Sequence, residues 1–136
     1  MINHERNRIL IIDDNASFRK TFRLRLSKQG FEVIVANDGL EGLNSVRKEH
    51  PDLVITDIML PGLDGHKICR MIKFDKNFMH IPVIVLTSRD LDEEADLAKR
   101  CNADAFIVKN TRTPIVLNVI KRLLERYTKT EALAEK

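Results

Sequence analysis

Leu53-Val54-Ile55-Thr56-Asp57-Ile58-Met59-Leu60-Pro61-Gly62 is the stretch on which the fold turns. Leu53 to Asp57 reads as a strand whose apolar residues are nearly continuous, where a half-exposed strand would alternate. Such a strand is covered on both faces, and that is the habit of parallel sheets. It ends on a carboxylate and runs into a Pro-Gly loop, which stops it.

The same pattern repeats on both sides of it. Upstream, Arg8 to Asp13 and Glu32 to Ala36 read as strands. Between them Ala16 to Gln29 reads as a helix with Phe18, Phe22 and Leu26 on one face, and Gly30 stands where a helix C-terminal glycine belongs. Gly39 to His50 is a second helix, built on Leu40, Leu43 and Val46. Downstream, a helix from about Gly65 carries Ile68, Met71 and Ile72. Pro82 to Thr87 is a fourth strand, Leu91 to Cys101 a fourth helix and Ala105 to Val108 a short fifth strand. Thr113 and Pro114 open the last helix, threonine as cap and proline in the first turn. Five βα units in succession predict an α/β fold, a parallel sheet with helices on each side. The domain is expected over 1–127, with 128–136 as a helix end or linker tail.

Composition narrows the class. The chain has 136 residues, 43% of them hydrophobic, which suits one domain with a real core. A net charge of +3 gives no reason to expect direct nucleic-acid binding. No apolar run is long enough to span a bilayer, and the polar start MINHERNR lacks the apolar core of a signal peptide. Cys69 and Cys101 have neither disulfide-framework nor metal-ligand spacing, so a reduced, cytoplasmic protein is expected. His4, His50, His66 and His80 are scattered and are read as surface residues.

In an open parallel sheet, ligands bind beyond the carboxyl ends of the strands. There the sequence places Asp13 and Asp14 after the first strand, Asp57 at the end of the third, Thr87 and Ser88 at the fourth and Lys109 at the fifth. Taken singly each has an ordinary explanation: a helix cap, a turn residue, another cap, a surface lysine. Taken together they form a set with specific chemistry. Three adjacent carboxylates cannot all stay ionised without a cation. Oxygen-only ligands suit Mg²⁺ or Mn²⁺ rather than zinc. A carboxylate beside such a cation can attack a phosphoryl group in line, and Thr87 and Lys109 can donate to its oxygens.

The segments Ile11-Ile12-Asp13-Asp14-Asn15, Asp57 to Gly65, Val85-Leu86-Thr87-Ser88 and Ala103 to Lys109 closely resemble the receiver (CheY-like) domain of bacterial two-component response regulators, over about Arg8 to Tyr127. The resemblance implies a flavodoxin-like, doubly wound five-stranded parallel sheet of order 2-1-3-4-5. It implies Asp57 as phosphoacceptor, with Asp13, Asp14, Asp57 and the Met59 backbone carbonyl around Mg²⁺. Thr87 would be the hydroxyl that swings toward the phosphoryl group and Lys109 its ion-pair partner, and Phe106 would be an aromatic switch or simply a core aromatic. The donor would be a histidine kinase or a histidine phosphotransfer protein. The readout surface would be the fourth helix, fifth strand and fifth helix, facing an output partner the sequence does not identify. Met59 and Arg89 occupy the positions that tune loss of the phosphoryl group, and neither is an evident base for water, so a long-lived phosphoform is expected.

Three residues depart from the family pattern. Asn110 follows the lysine where proline is usual, so a trans bond or a displaced loop is expected there. Asn102 stands in for glycine, and Gly42 for alanine. The basic residues Arg19, Lys20, Arg23, Arg25 and Lys28 on the first helix read as a solvated face or as a dock for an acidic patch on a kinase. Any apolar excess on the last helix could serve a homodimer or partner contact. The competing readings are a degenerate receiver acting without phosphorylation, a Mg²⁺-dependent phosphohydrolase and a flavin carrier. The adjacent Asp13-Asp14 fits neither the Asp-x-Asp of such hydrolases nor a phosphate-binding loop, so the chain is not expected to be an enzyme.

Overall fold

The structure is a computed structural model that describes residues 7–87, 96 and 99–134, with side chains as far as Arg126. Five strands, β1 (Arg8–Ile12), β2 (Glu32–Ala36), β3 (Leu53–Asp57), β4 (Val83–Thr87) and β5 (Ala105–Val108), form one sheet. All neighbours are parallel and their order is β2-β1-β3-β4-β5. The described helices are α1 (Ala16–Lys28), α2 (Gly39–Glu49), α3 (Gly65–Lys73) and the C-terminal α4 (Thr113–Ala134). The helix expected over Leu91–Cys101 lies mostly outside the described residues. Among those residues no helix is long and apolar enough to cross a membrane.

The two-sided burial read from the strands is what the sheet shows. Leu10, Ile12 and Val54 face a core shared with α2 and α3, through Val46, Ile68 and Ile72. Ile9, Ile11 and Ile55 face the opposite core, where α1 and α4 supply Phe22, Leu26, Val116 and Ile120. All residues of β3 and β4 are buried, so the strand ends at this centre are fixed from above and below.

Two helical assignments are corrected. Leu40 is 64% exposed and Met71 is 44% exposed. The buried positions of α2 are Gly39, Gly42, Leu43 and Val46, and those of α3 are Gly65, Ile68, Cys69 and Ile72. Both follow the same three-and-four spacing, and Leu40 and Met71 each stand one step off that stripe. Gly42 is there for room, since a Cβ would collide with the Ile12 side chain. The Thr113 cap is off by one residue. Thr113 is already helical, and the Arg112 carbonyl accepts from the Ile115 and Val116 N–H groups at 3.0 and 3.2 Å. Asn102 has φ 65°, a left-handed angle asparagine tolerates, and the described peptide bonds, Lys109–Asn110 included, are trans. Cys69 and Cys101 are both buried and free, with the Cys69 thiol donating to the Cys101 carbonyl at 3.4 Å.

Candidate functional site

The carboxyl ends of β1, β3, β4 and β5 meet at one edge of the sheet, and each delivers one side chain. Asp13 follows β1 immediately and is fully buried. Its N–H bonds the Ala36 carbonyl at 3.1 Å, so β2 fixes its root. Its Oδ1 accepts the Asn15 N–H at 2.8 Å, and Asn15 in turn caps α1 by accepting the Phe18 N–H at 3.0 Å. One short segment therefore aims an acid and starts a helix at the same time. The neighbouring Asp14 is exposed and forms the open side of the cleft.

Asp57 is the last residue of β3 and only 6% exposed. Its Oδ1 accepts the Met59 N–H at 3.3 Å, and its Oδ2 accepts from Lys109 Nζ at 3.0 Å. The backbone behind it leaves no freedom. Gly65 at the start of α3 lies so close to the Asp57 carbonyl that a Cβ there would overlap it. Thr87 ends β4, is fully buried, and its carbonyl accepts the Lys109 N–H at 2.7 Å. That bond extends the β4–β5 pairing by one residue and sets the root of the lysine.

The Lys109 ammonium lies 2.7 Å from Asp13 Oδ2 and 3.0 Å from Asp57 Oδ2, with side-chain exposure of 19%. It also sits over the Phe18 ring, 4.6 Å from its centroid. Asp13, Asp14 and Asp57 each offer an oxygen, all within 4.8 Å of one another. Two of the three carboxylates, Asp13 and Asp57, thus share one ammonium, and Asp14 adds a further negative charge beside them. Asp13 Oδ2 is buried and, although it touches Lys109 ionically, it has no aligned hydrogen bond. Burial pushes the Asp57 carboxyl above its usual range; the Lys109 bond and charge oppose this, and the Asp13 charge adds to it. Burial pulls the Lys109 ammonium down, but its close pairing with the Asp13 and Asp57 carboxylates outweighs that and leaves it above its usual value. A buried oxygen with spare lone pairs, in a hard-oxygen set with surplus negative charge, is what a small divalent cation requires.

The sequence-predicted Asp13, Asp14, Asp57 and Lys109 therefore come together directly. Thr87 joins them through its backbone bond to Lys109. Phe106 lies on β5 opposite Val85, half-buried against the α2/α3 core, and belongs to the sheet face rather than to the acid cluster. Met59 carries its N–H to Asp57 while its side chain is 62% exposed. Arg89 lies outside the described residues. Sequence reading missed two neighbours. The Phe18 ring beneath Lys109 was visible only as a helix-face aromatic, and Arg19 donates to the Asp13 carbonyl at 2.7 Å.

Comparison with known proteins agrees with this geometry. A family model described as the response regulator receiver domain matches residues 9–127. Response regulator MprA of Mycobacterium leprae is 37% identical over 128 residues, 94% of this chain and 55% of that protein. Protein PilG of Pseudomonas aeruginosa is 32% identical over 127 residues, 93% of this chain and 94% of that protein. The chain spans little more than half of the first relative and nearly the whole of the second. Among solved structures, a response regulator receiver domain protein (CheY-like) from Methanospirillum hungatei superposes with a TM-score of 0.86 at 28% identity, over 93% of this chain and 99% of that one.

Proposed function

This chain belongs to the family of response regulator receiver domains, and from that premise we propose that it is a working phosphoacceptor, with Asp57 as the residue that takes the phosphoryl group. The observation that carries the reading is the bridging of Asp13 and Asp57 by Lys109, at 2.7 and 3.0 Å, inside a triad of carboxylates it cannot neutralise alone. Asp13, Asp14, Asp57 and the Met59 carbonyl would hold Mg²⁺, with Mn²⁺ as a substitute. When bound, the ion supplies positive charge that lets phosphoryl oxygens lie beside the acids.

The chain's own residues do the rest. Asp57 is held rigidly at the end of a fully buried strand, so its oxygen is already aimed at an incoming phosphorus. That oxygen forms the new bond to phosphorus as the bond to the donor's histidine nitrogen breaks. Lys109 then holds a phosphoryl oxygen as it now holds the Asp57 carboxylate, and the Thr87 hydroxyl turns to a second one. Phe106, on β5 three residues before Lys109, follows the threonine inward. The donor is a histidine kinase or histidine phosphotransfer protein, whose acidic surface would meet the basic α1. Release of the phosphoryl group would be slow, because the exposed Met59 offers no base for water. The setting is the cytoplasm, where the free thiols of Cys69 and Cys101 stay reduced. A degenerate receiver has no feature in its favour here, since the acids and lysine meet and the lysine loop stays on β5 without proline.

The test is incubation with a phosphohistidine donor, or with acetyl phosphate, in the presence of Mg²⁺. Stoichiometric label is expected on the wild type and none on Asp57→Ala. Label persisting on Asp57→Ala would move the acceptor elsewhere. A phosphoform half-life of seconds would overturn the slow-release part alone.

A further inference from the structure

Lys109 poses a problem that its ion pairs do not solve. An ammonium on a four-carbon stem is a mobile point charge. Its backbone root is fixed by the bond to the Thr87 carbonyl, but the next residue, Asn110, is exposed and does not stiffen the loop as a proline would. Its carboxylate partners do not suffice to hold it for the reaction, because Asp57 changes chemically when it reacts and Asp13 would be engaged by the cation. Something else has to keep the ammonium in place, and that partner should not compete with a phosphoryl group for positive charge.

Phe18 has the required properties. Its ring carries the ammonium 4.6 Å from the centroid. A ring face attracts a cation through its quadrupole and has no net charge to be displaced. The ring is itself fixed: it stacks on Phe22 at 5.3 Å with an 18° interplanar angle, and the Phe18 backbone N–H donates to the Asn15 cap at 3.0 Å. That cap sits next to Asp13 and Asp14, so the segment that carries the acids also sets the phase of α1 that brings Phe18 under the lysine. We propose that Phe18 is a positioning residue for phosphoryl transfer, whose ring face holds the Lys109 ammonium on its line to the group arriving at Asp57. The proposal rests on the acceptor role of Asp57.

The experiment uses the full chain with acetyl phosphate and Mg²⁺, following phosphoprotein by intact mass. Phe18→Leu keeps an apolar side chain for the core but removes the ring. Its initial rate should fall about three- to thirtyfold, the range a cation–π contact spans from exposed to desolvated settings. Phe18→Tyr should restore it. In a Lys109→Ala background, Phe18→Leu should have no further effect, which a purely structural role would not predict. The Lys109 ε-protons should show an upfield ring-current shift in the wild type that is absent in Phe18→Leu. A labelled wild type with an unchanged Phe18→Leu rate, or an equal loss in the Lys109→Ala background, overturns the positioning role. Failure of the wild type to take label overturns the acceptor reading and this proposal with it.

Discussion

Among the described residues, two partly buried lysines end on aspartates, and the two pairs are opposites. Lys73, at the end of α3, lies 2.9 Å from Asp104 Oδ2, and the two side chains are 8% and 9% exposed. Its ammonium also donates to the Met79 and Ile81 carbonyls at 3.0 and 3.1 Å, and Asp104 accepts the Val83 N–H at 2.8 Å. That pair sits at the amino-terminal edge of β4 and β5, and both of its members are tied by hydrogen bonds to the surrounding backbone. Lys109, at the carboxyl-terminal edge, pairs with two members of a cluster of three acids and leaves a buried oxygen without an aligned donor. Where charge and hydrogen bonds close, the pair ties elements together. Where they do not, the pair marks a place that still has to receive something.

Breaking the closed pair should have the largest effect on stability. Asp104→Ala strands a buried ammonium and should cost about 3 kcal/mol, read as a fall in Tm of about 10 °C. Phosphoryl uptake by the folded variant at low temperature should be intact. Loss of uptake with stability preserved would erase the contrast between the two edges.

The open pair should respond to a cation. At ten times its Kd, Mg²⁺ should stabilise the wild type by about 1.4 kcal/mol through mass action, and Asp13→Asn should abolish the thermal shift. A shift of the same size in Asp13→Asn would mean that Mg²⁺ acts elsewhere.

The smallest effect is the most diagnostic. Burial holds the Asp57 carboxyl above its ordinary value of 3.8, so the fold favours its protonated form. Stability from this group is complete below that ordinary value and is lost as pH rises through the raised one. At neutral pH the ionised Asp57 is therefore a cost, and Asp57→Asn removes it. Without divalent ions, Asp57→Asn should be more stable than wild type at pH 7, because burial favours the neutral side chain there. The gain should vanish near pH 4, while Lys109, raised above 10.5, stays charged throughout. Denaturant unfolding at several pH values measures it, and a gain that persists at pH 4 would remove Asp57 ionisation as its cause.

Much of this was legible in the chain. Glu32–Ala36, Leu53–Asp57 and Ala105–Val108 are readable to the residue, because apolar strands end sharply where glycine, proline or charge begins. The acids and lysine of the cleft were legible because parallel topology puts strand ends in one place. What failed has physical reasons. Leu40 and Met71 read as core in the sequence because glycine and cysteine, which hold the adjoining stripe positions, carry little apolar signal. The Lys73–Asp104 pair has no local signature, as its members are brought together only by the packing of α3 on the sheet. The contact of Phe18 with Lys109 was hidden in the same way, since a ring that serves the core face gives no sign of what lies over it.

The sheet order has a last consequence, for when the cleft comes into being. Asp13, Asp57, Thr87 and Lys109 come from the ends of four strands spread over most of the chain, and β1 and β3 pair directly although α1, β2 and α2 separate them in sequence. Closing such long-range parallel contacts is slow. A nascent or partly opened chain, even with all of its acids, has no place where they meet. Competence to accept a phosphoryl group is therefore an all-or-none report on completed folding, and its recovery after refolding should lag behind helix formation and coincide with protection of the β3 and β4 amides from exchange.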